Sequence, residues 1–375
     1  MDWEAIRDEF PITRNFNFQN HAAVAPLSRR AAEAMRRYVA HCEQNSYLRG
    51  NFYKQADTVR QTCARLINAK PDEVTFIKNT SEGLSMVANG LNWRNGDNVV
   101  STSVEFPANV YPWQALAARG VELRTAMEEQ GRIPLERLID LIDNRTRVVT
   151  ISSVQFASGF RTDLAALGDY CKEKGVFLCV DAIQSLGMLP LDVEAMHVDF
   201  LSADAHKWLC GPEGIGVFYV RKELQGFLRP TTIGWASMKN MLDFGRYQFE
   251  FHDDARRYDS GAYNLAGVFG LGAAVDLLLE IGVSNVEKRV LFLTDRLVTG
   301  LRDKGYRVVS SREQGEASAI VSFISPVHNH DDIQRHLEGE HRIVIATRAG
   351  RLRSSPHFYN TPREIDQLID VLPGH

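Results

Sequence analysis

Asp181 and Lys207 stand near the middle of the chain, in Val180-Asp181-Ala182-Ile183-Gln184 and Ser202-Ala203-Asp204-Ala205-His206-Lys207-Trp208. Each is flanked by apolar, strand-forming residues. An amine in such a setting can carry an aldehyde as a Schiff base, and a carboxylate can keep a ring nitrogen protonated. These are the two tasks a protein performs for pyridoxal 5'-phosphate (PLP), and Lys207 and Asp181 are the candidates for them. Burial is costly for both groups. A carboxylate ending an apolar strand calls for a cation, which a pyridinium supplies. Lys207 precedes Trp208-Leu209-Cys210-Gly211-Pro212-Glu213-Gly214-Ile215-Gly216, a turn into an apolar strand. That context predicts a buried lysine whose pKa falls toward that of a nucleophilic amine.

Other segments offer chemistry but also have plainer readings. Asn79-Thr80-Ser81-Glu82-Gly83 follows a strand and opens a helix, so it either holds a phosphate at the positive helix end or is a capping box around Thr80 or Ser81. Phe106, in Glu105-Phe106-Pro107, either stacks on a pyridine ring or fills the core. Gln184 is either a donor to a phenolic oxygen or an exposed glutamine on a helix surface. His206 is a donor for phosphate.

The elements that must position these groups are strands alternating with helices. Runs at 74–77, 98–101, 148–151, 177–180 and 216–220 are β-branched or aromatic and bounded by turns. Stretches at 82–91, 107–119 and 163–174 have helical length between them. That alternation predicts an α/β fold with a mostly parallel sheet, which binds ligands at the carboxyl ends of its strands. After residue 262 the pattern shifts to helix (265–280, 284–304), strands near 306–310 and 319–324, and a terminal helix from 362. The 375 residues therefore divide into a large domain, 16–262, and a small α+β domain formed by 1–15 and 263–375.

Composition narrows the function classes. With 44% hydrophobic residues, 24% charged residues and a net charge of −4, the chain has no general attraction to nucleic acid or to anionic membranes. No apolar run approaches the roughly 18 residues of a membrane helix, and the acidic start is unlike a signal peptide, so a cytoplasmic protein is expected. Cysteines at 42, 63, 171, 179 and 210 form no CxxC pair, which argues against a disulfide framework and a zinc ribbon. No metal site is expected.

The segments from Asn79 to Gly83, from Glu105 to Trp113, from Val180 to Gln184, from His206 to Gly216 and from Arg353 to Thr361 are collinear over nearly the whole chain. Together they resemble the class V aminotransferase family of fold type I PLP enzymes, which includes cysteine desulfurases, selenocysteine lyases, kynureninases and isopenicillin N epimerase-like proteins. The resemblance implies a seven-stranded sheet between helices and a homodimer with composite sites. It implies Lys207 as the Schiff-base lysine, Asp181 on the pyridine nitrogen and Gln184 on the phenolic oxygen. Thr80, Ser81 and His206 fall at the phosphate, and Arg353 at the substrate α-carboxylate.

Departures from the family pattern matter as much. Phe106 stands where desulfurases have a histidine able to carry protons. Only Ala349-Gly350-Arg351-Leu352 separates Arg348 from Arg353, and no cysteine lies beyond position 210, so the desulfurase cysteine loop is absent by this reading. Gln155 is placed at a contact made by asparagine in many relatives. Ala262 replaces a threonine that reaches the neighbouring subunit's phosphate. Asp204 stands where serine is common, and either points away from the phosphate or pairs with an arginine. Arg348, Arg351, His357, Tyr258 and Tyr263 either line the substrate pocket or are solvated, and Arg348 or Arg351 would suit a second carboxylate. The family chemistry runs through an external aldimine and a Cα carbanion of an amino acid. It ranks amino-group transfer first, β-elimination second and epimerisation third. A PLP-bound regulator without chemistry is the remaining alternative.

Overall fold

Short strands and intervening helices assemble into one central sheet in the computed structural model, which describes residues 1–374. The seven strands lie in the order Val74–Ile77, Gly216–Val220, Phe200–Asp204, Phe177–Asp181, Thr146–Ser152, Asn98–Thr102, Glu122–Ala126. Gly216–Val220 runs antiparallel to both neighbours, and the other pairings are parallel. Alternation along each strand assigns side chains to two apolar clusters, one per face. Val148, Cys179, Phe200 and Phe218 enter one cluster, whereas Val149, Leu178, Leu201 and Val217 enter the other. Both faces are therefore covered, which explains strands that are apolar throughout.

Two strands of this sheet escaped the sequence reading. Glu122–Ala126 is an edge strand, paired only with Asn98–Thr102, and its partly exposed Glu-Leu-Arg-Thr-Ala run has no apolar alternation to read. Phe200–Asp204 carries Ser202 and Asp204, which look like loop residues but are fully buried here. The expected helix at 107–119 is instead a 3-10 turn at Pro107–Asn109, a short helix at Tyr111–Gln114 and a second 3-10 turn at Ala115–Arg119. Pro107 and Pro112 each remove a backbone donor, which breaks the segment up.

The helix Thr80–Gly90 approaches the sheet closely enough that a Cβ on Gly83 would lie 2.4 Å from Ser202 Oγ. Only glycine permits that contact, and with it the hydrogen bond from Ser202 Oγ to Thr80 O at 3.0 Å. The start of this helix is thereby fixed against the carboxyl end of the Phe200–Asp204 strand.

A second, antiparallel sheet has the order Ala346–Arg348, Arg351–Ser354, Val321–Ile324, Arg307–Val308. Its separate apolar cluster runs from Leu293 to Leu372. The helix Leu265–Ile281 belongs instead to the main cluster, packed against Arg29–Asn45 and Phe52–Leu66. The change of core thus falls within the helix Val283–Asp303, later than the break drawn at 262. The amino-terminal segment joins the second unit, with Asn17–Phe18 pairing Ile343–Val344 and Arg7 bridging Glu364 at 2.7 Å. No single helix among the described residues is long and apolar enough to cross a membrane. The apolar pair Leu265–Ile281 and Val283–Asp303 is bent by 78°.

Candidate active site

The strands Phe177–Asp181 and Phe200–Asp204 end side by side, and their last residues open onto a cavity of about 310 Å³. The walls include Thr80, Ser81, Phe106, Asp181, Gln184, His206, Lys207, Arg348 and Arg353, brought together from five separate stretches of chain. Gln155 and Ala262 do not line it. Gln155 is buried and donates from Nε2 to Glu105 at 2.8 Å, so it supports the wall from behind. Ala262 is exposed in a different cleft, with Lys78, Glu82 and Ser260.

Asp181 is 1% exposed, and its Oδ1 accepts from the Ile183 N–H at 3.0 Å. Its Oδ2 is buried without a partner. Burial raises its pKa to about 7; the Ile183 N–H opposes that shift, the neighbouring Glu105 adds to it, and Lys207 opposes it. A protonated ring nitrogen is the cation this oxygen lacks. Lys207 is 8% exposed and makes no hydrogen bond or ion pair among the described residues. Burial pulls its pKa down to about 8, with Asp181 opposing and Arg353 assisting. At pH 7 about one molecule in ten then holds a free amine, against about one in three thousand at a lysine's ordinary 10.5. Lys207 Nζ lies 5.5 Å from the centroid of the Phe106 ring, which is 43% exposed and meets Phe156 edge-on at 5.3 Å. Phe106 thus presents a face to the cavity and is no core residue.

Glu105, quoted in the sequence only as part of a motif, is the anchor of that wall. Its carboxylate accepts from the Ser152 N–H at 2.7 Å, from the Ser152 hydroxyl and from Gln155. Burial raises its pKa, and these donors hold it down. The loop bearing Phe106 is therefore tied to the end of the Thr146–Ser152 strand. Gln184 is buried too: Oε1 accepts from Trp208 Nε1 at 2.9 Å, and Nε2 donates to Ala22 O at 3.0 Å. An amide nitrogen has two protons, so one remains for a ligand. The reading as an exposed glutamine is excluded. The wall segment Ala22-Ala23-Val24 was not anticipated, because nothing in its own sequence marks it. It is held by long-range contacts, including Ala25 N–H to His206 O at 2.7 Å.

At the other end, Asn79 is the cap of the helix Thr80–Gly90, accepting from the Glu82 N–H at 3.0 Å. Neither Thr80 nor Ser81 performs that task. Thr80 Oγ1 accepts from the Asp204 N–H at 3.0 Å, which leaves its own proton for a ligand. The first amides of a helix have no partner within it and favour anions. Asp204 pairs with no arginine among the described residues. Its Oδ1 accepts from the Ala205 N–H at 2.8 Å and lies 3.1 Å from His206 Nδ1, out of line for a hydrogen bond. Asp204 does line the cavity, and His206 stands beside it.

Arg353 is 1% exposed, with Nη1 donating to Phe156 O at 2.7 Å. Its Nε and Nη2 are buried and unpartnered. Burial and Arg348 lower its pKa to about 9, so it stays charged at neutral pH. A fork of two unpaired donors at the wall of a cavity matches a carboxylate. Arg353→Lys is expected to raise KM for the amino acid by about 10–100-fold while the visible cofactor band is retained, because a point charge replaces a bidentate one. An unchanged KM would remove Arg353 from substrate binding.

Of the further pocket candidates only Arg348 reaches the cavity. Arg351 pairs with Glu128 at 3.1 Å, Tyr258 bonds to Leu228 O at 3.1 Å, and Tyr263 bonds to Asp259 at 2.7 Å. His357 is wholly buried. Its Nδ1 accepts from the Phe358 N–H at 2.8 Å, so Nε2 carries the proton and donates to Trp208 O at 2.9 Å. It fixes the backbone just after Lys207.

The unpartnered atoms fit PLP. Asp181 Oδ2 would hold the ring nitrogen, Lys207 the aldehyde, Phe106 the ring face, and Thr80, Ser81 and His206 the phosphate. The chain belongs to the class-V aminotransferase family, whose model matches residues 18–368, and it is a PLP-dependent enzyme. A probable cysteine desulfurase from Methanothermobacter thermautotrophicus is 30% identical, covering 99% of this chain and 98% of its own. The uncharacterized aminotransferase YcbU of Bacillus subtilis is also 30% identical, over 98% and 97% of the two chains. Among solved structures, apo cysteine desulfurase from Thermococcus onnurineus superposes with a TM-score of 0.90 at 27% identity, covering 98% and 96%. The cystine C–S lyase C-DES, solved with its product cysteine persulfide, gives 0.89 at 25% identity, covering 97% and 98%. The enzyme reading thus displaces that of a regulator without chemistry.

Proposed function

We propose that this enzyme transfers the amino group of an amino acid to a keto acid. The observation that carries the reading is the proton inventory of the cavity. Lys207 is its one free amine, and the rest of the substrate side is Ala22, Ala23, Val24, Phe106, Ala108, Phe156 and the two arginines. When bound, PLP supplies the electron sink for a Cα carbanion. Arg353 holds the α-carboxylate and orients the Cα–H bond. Lys207, which would hold the cofactor aldehyde, takes the Cα proton as a free amine and gives it back as an ammonium. Both transfers use one base, and its pKa near 8 suits it to both directions.

β-Elimination is the second reading, favoured by the relatives named cysteine desulfurase and C–S lyase. It needs an acid at the Cβ leaving group, and no carboxyl or imidazole beyond Asp181, Asp204 and His206 lines the cavity. A persulfide on a cysteine of this chain is a poorer fit. The strands Ala346–Arg348 and Arg351–Ser354 are joined by Ala349 and Gly350 alone, and no cysteine is in the wall. Epimerisation needs a second proton carrier across from Lys207, where Phe106 stands.

Incubation of the enzyme with a range of amino acids, with and without pyruvate or 2-oxoglutarate, separates these readings. Keto acid is expected to form continuously only with an acceptor, and to stop after a single turnover without one. Sustained keto acid and ammonia production without an acceptor would overturn amino transfer. The proposal includes a homodimer, in which the exposed Ser260-Gly261-Ala262 loop serves the partner's phosphate.

A further inference from the structure

We propose that Arg348 and Arg353 form a receptor for two carboxylates, so that the substrate, as amino donor or acceptor, is a dicarboxylic acid. This deepens the amino-transfer reading and rests on it for the identity of the bound species. The argument begins with the register of the second sheet. Arg348 pairs directly with Arg351, and Arg353 follows two residues on, so all three side chains leave the same face. Their fates differ. Arg351 is neutralised by Glu128 at 3.1 Å, and Arg353 is sunk in the wall with two unpaired donors. Arg348 lines the same cavity, makes no ion pair among the described residues and donates only to Thr347 O at 2.9 Å.

Its position is fixed by the shortest possible connection. Ala349 and Gly350 have φ of 49° and 72°, the paired positive values of a two-residue hairpin turn. His330 Nδ1 lies 2.9 Å from Gly350 O and braces that turn. Arg348 thus stands at the exposed rim while Arg353 lies at depth. The charges of the cavity support the same conclusion. Asp181 would face the ring nitrogen, Asp204 Oδ1 accepts from the Ala205 N–H at 2.8 Å, and Thr80 and Ser81 would face the phosphate. The charge of Arg348 is left uncompensated, and it depresses both Lys207 and Arg353. A carboxylate on the far end of the substrate would supply the missing anion, and a guanidinium binds it with directional bonds.

The test uses non-reacting probes on the PLP-loaded enzyme: succinate and glutarate against butyrate and valerate, titrated calorimetrically at constant ionic strength. Each dicarboxylate is expected to bind about tenfold or more tightly than its monocarboxylate of equal length, a difference typical of one added charged hydrogen-bonded pair. Arg348→Gln should abolish that preference, and Arg348→Lys should retain part of it. Equal binding of succinate and butyrate by the native enzyme, or a preference that survives in Arg348→Gln, overturns the proposal. Neither result bears on amino transfer, which the acceptor experiment decides separately.

Discussion

Replacing Lys207 by alanine is expected to lower kcat by at least about 10⁴-fold, with loss of the visible band that a protonated Schiff base gives. General acid–base catalysis alone accounts for about 10²–10⁴, and the covalent handoff of the cofactor adds to that. Two features of the site make the effect this large. Lys207 is the cavity's one free amine, and the other titratable groups of the wall, Asp181, Asp204 and His206, are assigned to the ring nitrogen and the phosphate end rather than to the substrate Cα. Added methylamine, a diffusible base, should restore a small fraction of the rate, as expected when a missing proton carrier rather than misfolding is the cause. Full activity in Lys207→Ala would end the enzymatic assignment of this residue.

Asp181→Asn is expected to lower kcat by about 10³-fold, the scale of removing one preorganised charge from a dry site. Asparagine is nearly the same size and can still accept from the Ile183 N–H, so the fold is spared. It cannot hold a proton on the ring nitrogen, and the electron sink weakens. Activity within tenfold of the native enzyme would contradict this role. The pair also sets a pH signature in cofactor-free protein. Asp181 has its folded pKa raised, from 3.8 to about 7, so the native state keeps a proton the unfolded chain releases and stability falls across that window. Lys207 has its folded pKa lowered, from 10.5 to about 8, so stability rises as pH increases between those values. Their joint contribution is least favourable between about pH 7 and 8. The double variant Asp181→Asn/Lys207→Met should be more stable there by about 3 kcal/mol in urea unfolding, with the gain shrinking toward pH 4. A gain independent of pH would show that titration of these groups is not its source.

The sheet was legible where its strands are apolar and buried, at Val74–Ile77, Asn98–Thr102, Thr146–Ser152, Phe177–Asp181 and Gly216–Val220. Local periodicity encodes those strands. It is silent at the edge strand Glu122–Ala126, whose residues face water on one side. Phe200–Asp204 was hidden for a different reason. Its polar residues are satisfied by partners far away in sequence, such as Thr80 for Ser202 and for the Asp204 amide.

The site divides in the same way. Asp181, Lys207, Phe106, Thr80, Ser81, His206, Gln184 and Arg353 all line one cavity, as their motifs implied. Gln155 was assigned to it by position along the chain, but its amide is drawn away by Glu105, a buried carboxylate needing donors. Cap and phosphate ligand could not be told apart from Asn-Thr-Ser alone. The structure gives the cap to Asn79 and frees the hydroxyls.

By itself the sequence determined the alternation of strands and helices, and the choice of Lys207 and Asp181, which meet in one cavity. Those features depend on residue type and on neighbours a few positions away. Only the tertiary structure decided which of three arginines remains unpaired, because that depends on where Glu128 and the Phe156 carbonyl lie. It likewise decided that Ala22 to Val24 form a wall, and that Asp181 Oδ2 and two Arg353 nitrogens are left buried and unmatched. Charge compensation is a long-range property, settled when distant segments pack, and in this chain it is what turns a cofactor site into a substrate site.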